Sequence, residues 1–95
     1  MTIVRIAGKI VSKVTSVGDT ATLIPTAVTT GRITILLTND GNTTVYLGDS
    51  SVTAGPTGTG TPLEPSEKLP MDLDANVLLY GRTITGTSNV KTIEG

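Results

Sequence analysis

The sequence contains no cysteine, histidine, phenylalanine or tryptophan, and only 16% of its residues are charged. Without cysteine or histidine there can be no disulfide, no tetrahedral zinc site on those residues and none of the commonest nucleophile and base pairs. No apolar run approaches the ~20 residues that a membrane span needs, and the N-terminus lacks the charged and apolar regions of a secretory signal. We therefore expect a protein that binds and packs, with no enzymatic activity, no cofactor and no metal.

The charge balance is also close to neutral. Seven basic and eight acidic residues give a net charge of −1. The basic residues form no cluster and the two tyrosines are far apart, whereas nucleic-acid binding needs phosphate-neutralising cations, usually with stacking aromatics. We therefore expect neither direct nucleic-acid contact nor a membrane partner. A net charge near zero favours association, which predicts a homo-oligomer.

What the sequence has in abundance is β-branched residues: 8 Ile, 9 Val and 19 Thr make up 36 of 95 positions. Their stiff χ1 rotamers favour strands over helices. No stretch shows a sustained 3.6-residue period, so helix is not expected beyond a single turn. The length of 95 residues corresponds to one domain.

Short apolar segments alternate with turn signals along the whole chain. They predict strands at 3–7, 9–17, 21–24, 32–38, 43–48, 68–73, 77–84 and 90–94. Seven to eight short strands of this kind are typical of an all-β antiparallel sandwich or barrel with Greek-key or jelly-roll-like connections. The prediction is a single domain over 1–95, with 1–8 as a candidate N-terminal segment for contacting a partner.

Alternation also predicts which side chains face the core. The residues expected to point inward are Ile35, Leu37, Val45, Leu47, Leu69, Met71, Leu73, Val77 and Leu79, with Ile33 on the same strand face as Ile35. Tyr46 is expected on the opposite face of its strand. The many threonines are expected mainly on the outer faces.

Five acidic residues are candidates for chemical sites. Asp72 and Asp74 alternate and could join Asp49 in a hard-cation site of oxygen ligands. Solvated aspartates at a strand end are the more economical interpretation. Glu64 and Glu67 could form a glycosidase pair only at a defined separation across a cleft, so solvated loop charges are favoured for them.

The stretch 55–61 is rich in glycine and threonine and superficially resembles a phosphate-binding loop. Such loops open a helix, and the Walker type also needs a lysine beside Ser or Thr. No lysine is present and no helix is expected to follow. We interpret this stretch as a flexible loop or one ordered by a partner.

The C-terminal half carries a resemblance to a known group of proteins. The motif Val-Tyr-Leu-Gly-Asp-Ser-x-Val-Thr lies at 45–53, and a Gly-rich loop follows it. Leu-x-Pro-x-Glu-x-Leu lies at 63–69, Leu-Tyr-Gly at 79–81, and a final strand begins at 90. This order resembles small virion proteins and domains of tailed bacteriophages, which serve as capsid decoration (cement) proteins, head fibres, and tail or fibre modules.

The resemblance implies a β-sandwich in a virion. At the residue level, Asp49 is expected to cap backbone amides and Pro65 to set a turn that returns Leu69 to the core. Gly81 departs from the pattern, where alanine is more usual.

The expected function is that of a capsid decoration protein on the outer surface of a capsid, made in the host cytoplasm. It would bridge and stabilise neighbouring major capsid subunits, with a trimer as the favoured oligomer. The alternatives are a receptor- or carbohydrate-binding module of a tail or fibre, and a tail-completion or connector protein. Arg5 and Lys9 are candidate shell contacts, and Arg32 and Arg82 are candidate partners for acidic residues of another subunit.

Overall fold

The computed structural model describes residues 10–95, so the predicted strand at 3–7 and the candidate contacts Arg5 and Lys9 lie outside the described residues. Over the described part the chain forms eight strands: β1 (Val11–Val17), β2 (Thr22–Leu23), β3 (Thr34–Asn39), β4 (Val45–Gly48), β5 (Thr61–Leu63), β6 (Lys68–Asp72), β7 (Tyr80–Arg82) and β8 (Ser88–Glu94). Residues 10–95 include no helix that is both long and apolar enough to cross a membrane.

The strands form two four-stranded antiparallel sheets. Sheet A has the order β1-β8-β3-β6 and sheet B the order β2-β7-β4-β5. Apart from β4 and β5, which share sheet B, each strand is followed by one in the other sheet. Eight strands in two sheets of this order form a jelly roll. The predicted all-β, jelly-roll-like sandwich is confirmed.

The connections separate into two groups at opposite ends of the sandwich. Loops 18–21, 40–44, 64–67 and 83–87 meet at one end, which we call the Asn39 end. Loops 24–33, 49–60 and 73–79 meet at the other, which we call the Gly95 end. Continuing the β1–β8 register by one residue places Ile10 beside Gly95, and the Ile33 amide donates to the Gly95 carbonyl at 2.8 Å.

The core between the sheets is built from branched aliphatic side chains. Its buried members are Val17, Ile24, Ile35, Leu37, Val45, Leu47, Leu63 and Val90, with Leu69, Met71, Leu73 and Leu79 packed partly buried against them. Tyr46 and Tyr80 lie outside this cluster, on the outer face of sheet B. The predicted inward residues of β3, β4 and β6 are therefore confirmed.

Two expected inward side chains are instead half exposed: Ile33 at 51% and Val77 at 52%. β3 begins only at Thr34, so Ile33 lies beyond the end of the sheet. Val77 closes a turn in which its amide donates to the Asp74 carbonyl at 3.0 Å, and β7 starts three residues later. A run of apolar residues does not distinguish a strand from a turn followed by a strand.

The structure also corrects two other expectations from the sequence. β5 lies where the sequence predicts a loop. This strand can include Pro62, which has no amide to donate, because β5 is at the edge of sheet B. Four threonines face inward or lie under loops, with at most 3% of their surface exposed: Thr15, Thr34, Thr83 and Thr92. The β-branched side chain of threonine fits a buried strand position even though it carries a hydroxyl group.

Gly81 has a packing reason for departing from the alanine of the phage pattern. It is buried in the middle of sheet B, between β2 and β4. A Cβ at this position would lie 2.6 Å from Ile24 Cδ1 and 2.9 Å from Val45 Cγ1. The absence of a side chain at position 81 therefore lets two core residues meet beneath the sheet.

Candidate functional site

A buried carboxylate organises the Gly95 end. Glu94, at the end of β8, is 0% exposed. Its Oε2 lies 3.0 Å from Arg32 Nη1, and its Oε1 lies 3.1 Å from Lys13 Nζ and 2.8 Å from Thr29 Oγ1. We call Lys13, Thr29, Arg32 and Glu94 the Glu94 cluster. Two cations and one carboxylate thus meet where sheet A ends.

Arg32 joins the same cluster to the loop between β6 and β7. Its Nε donates to the Leu73 carbonyl at 3.1 Å, and its Nη2 donates to the carbonyls of Asp74 at 3.2 Å and Val77 at 2.8 Å. Lys13 donates to Thr29 Oγ1 and to the Ala27 carbonyl. The cluster therefore fastens loops 24–33 and 73–79 to β1 and β8.

The environment of Glu94 lowers the pKa of its carboxyl group. Burial is the largest single effect and raises the pKa, but hydrogen bonds from Thr29, Lys13 and Arg32 together outweigh it. A carboxylate that accepts charge-assisted hydrogen bonds is favoured over its neutral form. Glu94 is therefore ionised at neutral pH, and the cluster carries one net positive charge.

Four large aliphatic side chains are exposed at this same end. Ile10 is 59% exposed, Ile33 51%, Val77 52% and Leu78 47%. Ile10 immediately precedes β1, and the other three lie in the two loops that the Glu94 cluster fastens. Single exposed aliphatic residues are ordinary, but several gathered at one end of a small domain are typical of an interaction surface. We call these four residues the apolar end.

The structure places Arg32 and Arg82 differently from expectation. Arg32 is 1% exposed, and its donors bind groups of its own chain, so it is not presented to an acidic residue of another subunit. Arg82 is partly buried on sheet B, where Nη2 donates to the Asp19 carbonyl at 2.6 Å and Nη1 to the Val52 carbonyl at 3.4 Å. Neither arginine lies at the apolar end as a free charge.

Three of the five candidate acidic residues accept backbone amides in turns. Residues 10–95 contain no group of three or more acidic side chains placed to hold a metal ion. Asp49 Oδ1 accepts the Ser51 amide at 2.9 Å, which confirms its capping role. Asp74 Oδ1 accepts the Asn76 amide at 2.8 Å in a similar turn. Glu67 Oε1 accepts the Glu64 amide.

The Gly-rich loop holds itself together. The Thr59 amide donates to Thr53 Oγ1 at 2.7 Å, the Thr53 amide donates to Thr59 Oγ1 at 3.2 Å, and the Gly60 amide donates to the Thr53 carbonyl at 3.0 Å. Reciprocal threonine bonds close the loop without a partner. The sequence predicted a flexible loop or one ordered by a partner, whereas this loop is closed by its own hydrogen bonds.

Sequence reasoning missed the polar groups that organise each end. At the Asn39 end, Asn39 is 0% exposed, and its Nδ2 donates to the carbonyls of Thr43 at 2.9 Å and Leu63 at 2.8 Å. Its Oδ1 accepts from Ser88 Oγ at 2.6 Å and from the Gly41 amide at 3.1 Å. Alternation was the available signal, because Asn39 continues the inward face of β3 and Glu94 that of β8.

No family model, curated protein or solved structure matches this chain.

Proposed function

We propose that this chain is a capsid decoration protein that bridges neighbouring major capsid subunits through the apolar end. The observation that carries the proposal is the gathering of four half-exposed aliphatic side chains on loops held in place by the Glu94 cluster. In the sequence, residues 1–9 immediately precede Ile10, so Arg5 and Lys9 lie within five residues of it along the chain. The proposed action is structural, with no catalytic step.

The loops at this end, the energy of apolar burial and the resemblance of residues 45–53 together support the docking role. The loops there are fastened by buried charge-assisted bonds, so little ordering entropy is lost when a partner covers them. Apolar surface removed from water stabilises an interface by ~25 cal/mol per Å². Residues 45–53, whose sequence resembles that of phage virion proteins, form β4 and the turn after it, with Val45 and Leu47 in the core.

The jelly roll itself supports the proposal only in a general way. This architecture occurs in viral capsid domains and also in lectin domains, so the fold is compatible with more than one binding role. The choice of docking surface therefore rests on the apolar end and not on the fold.

The test is to look for the chain on virus particles from a culture that produces it. We expect a cryo-EM map to show copies on the outer capsid surface, three around each site, with the apolar end facing the shell. A ring at the portal or tail would support a connector instead. Absence of the chain from purified particles would overturn the proposal.

A rebinding assay tests the surface itself. On particles stripped of the chain, we expect Ile33→Ser with Leu78→Ser to lower affinity at least tenfold, since a fully buried aliphatic side chain contributes about 1.5–3 kcal/mol. Deleting residues 2–7 should also abolish rebinding and leave the domain folded. Ile84→Ser is the matched control, because Ile84 is 60% exposed but lies at the Asn39 end. Equal loss in the control would contradict docking through the apolar end.

A further inference from the structure

A second surface, at the opposite end of the sandwich, has a different chemistry. A groove of about 310 Å³ opens there on the outer side of sheet B. Its lining residues come from loop 40–44, from β4 and from loop 83–87: Asn42, Thr43, Thr44, Tyr46, Ile84 and Thr85. From this lining we infer that the groove binds a neutral saccharide, which is a function beyond capsid decoration.

The lining selects against charged ligands. None of the six side chains is ionic. One lining side chain is bonded to a carboxylate: Thr44 Oγ1 donates to Glu64 Oε2 at 3.1 Å. An anionic group in the groove would lie near this carboxylate, and the cation in register with Tyr46, Arg82, already donates to two backbone carbonyls, so the anion would be unpaired at a cost in free energy. The ligand is therefore uncharged.

The same lining combines apolar and hydrogen-bonding groups. Tyr46 and Ile84 supply the apolar surface, and Ile84 is 60% exposed. Asn42 and Thr85 are exposed, so an amide and a hydroxyl face solvent beside them. A pyranose ring matches this pattern, because it has an apolar C–H face and a rim of hydroxyl groups. Tyrosine suits such a ligand, because its ring is apolar and its hydroxyl group can stay hydrogen-bonded at the wet edge.

The size of the groove limits the ligand further. Small-molecule sites usually have volumes of ~300–1,000 Å³, so this groove lies at the lower end of the range. It fits one or two sugar units of a glycan rather than a long stretch of chain. The inference is therefore recognition of a short or terminal neutral unit.

The backbone fixes the position of Tyr46. Its strand neighbours in register are Pro62 on β5 and Arg82 on β7. Gly60 lies so close that a Cβ there would be 2.5 Å from Tyr46 Cβ. Arg82 is itself held by the Asp19 carbonyl. A tyrosine held between two strands offers a fixed surface, which reduces the ordering cost of binding.

The two surfaces can act together because they lie at opposite ends. If the apolar end faces a capsid, the groove faces outward. Saccharide binding does not depend on docking to a capsid, because the groove is formed within a single chain. Sugar binding and particle binding are therefore separate measurements.

The test is an NMR titration of the full chain with neutral sugars: glucose, galactose, mannose and N-acetylglucosamine, each as monosaccharide and as disaccharide. We expect at least one to shift the amides of residues 42–46 and 84–85 with a Kd of about 1–10 mM, which is a weak affinity suited to multivalent particles. Sialic acid, which carries a carboxylate, should cause no shift at the same residues.

Variants decide whether the groove is the binding site. Tyr46→Ala should weaken binding at least tenfold, whereas Tyr80→Ala, at the other tyrosine of sheet B, should leave it unchanged. The double variant Asn42→Ala with Thr85→Ala changes only exposed side chains, so it should fold normally and also bind at least tenfold more weakly. Absence of binding by every neutral sugar, or equal binding by the double variant, would overturn the inference.

Discussion

At the scale of single residues, the two kinds of ion pair in this protein differ in what they contribute. Lys91 Nζ and Asp40 Oδ2 are 3.1 Å apart, but their side chains are 63% and 55% exposed. Glu94 makes contacts of the same length with Lys13 and Arg32 while fully buried. Solvent screens the first pair, whereas loss of one member of the second leaves unpaired charge inside the protein.

We therefore predict that Glu94→Gln lowers the free energy of unfolding by about 3–5 kcal/mol, because Arg32 keeps its buried charge without a carboxylate. Asp40→Asn is the matched control, with the same chemical change at an exposed pair and an expected loss below about 1 kcal/mol. Urea denaturation followed by circular dichroism measures both. Similar losses in the two variants would show that burial does not strengthen the Glu94 pairs.

The lowered pKa of Glu94 gives a second, pH-dependent expectation for the same residue. Since the folded pKa lies below the ordinary carboxyl value of 4.5, this carboxylate contributes its stabilisation at pH values above 4.5. The contribution declines as the pH falls through the folded pKa. An NMR titration of the Glu94 carboxyl carbon should show a midpoint below 4.5, and a midpoint above it would contradict the proposed balance of burial and hydrogen bonds.

How far single residues could be predicted depended on their neighbours. Val45, Leu47 and Tyr46 followed from alternation alone, because an ordinary strand fixes the face of each side chain. Arg32 did not, since it lies two residues before β3 and its partner is more than 60 positions away. Arg32 can be buried because it pairs with that distant carboxylate, and the residues next to Arg32 in the sequence do not predict this pairing.

At the scale of elements, the turn between β5 and β6 shows local chemistry deciding the backbone. The Glu67 amide donates to the Glu64 carbonyl at 2.9 Å, with Pro65 and Ser66 between them, and Ser66 has φ = 71°. This is the pattern of a type II turn, which favours Pro at its second position and Gly at its third. The predicted role of Pro65 is confirmed, and Ser66 occupies a position that suits glycine better.

Ser66→Gly should therefore stabilise the protein by about 0.5 kcal/mol. Relief of the left-handed conformation contributes roughly 1–2 kcal/mol, and the extra freedom of glycine in the unfolded chain offsets part of it. Ser66→Ala keeps a Cβ and should be neutral or slightly destabilising. Denaturant midpoints for the three proteins provide the comparison, and a glycine variant less stable than the alanine variant would refute the strain at Ser66.

The strands missed or misplaced by sequence reasoning share one physical cause. β5 is only three residues long and includes Pro62, and β7 is equally short and follows the Asp74 turn and the apolar residues 77–79. Such strands have too few residues to show alternation. Their place is set by pairing with β4 and by the core beneath, which are tertiary effects.

At the scale of the whole molecule, the last strand lies in the middle of a sheet. β8 pairs with β1 on one side and with β3 on the other. It also provides Val90 to the core and Glu94 to the cluster. The sequence predicted a final strand and a jelly-roll-like sandwich but not this central position, because strand order depends on contacts between distant residues.

Deleting Ser88–Gly95 should therefore abolish cooperative unfolding, although it removes only the end of the chain. Deleting residues 2–7 should leave a cooperative transition in place and serves as the comparison. Both are measured by thermal and urea denaturation with circular dichroism and one-dimensional NMR. A folded protein without β8 would mean that β1 and β3 can close sheet A by pairing directly.

The central place of β8 also matters for how the protein is made in the cell. Chains are synthesised from the N-terminus, so both neighbours of β8 are complete before it exists. Until β8 is available, β1 and β3 each leave an edge that could pair with another nascent chain. Folding of sheet A must therefore wait until β8 has left the ribosome. A chain truncated before β8 would be directed to aggregation or proteolysis instead of yielding a partly active protein.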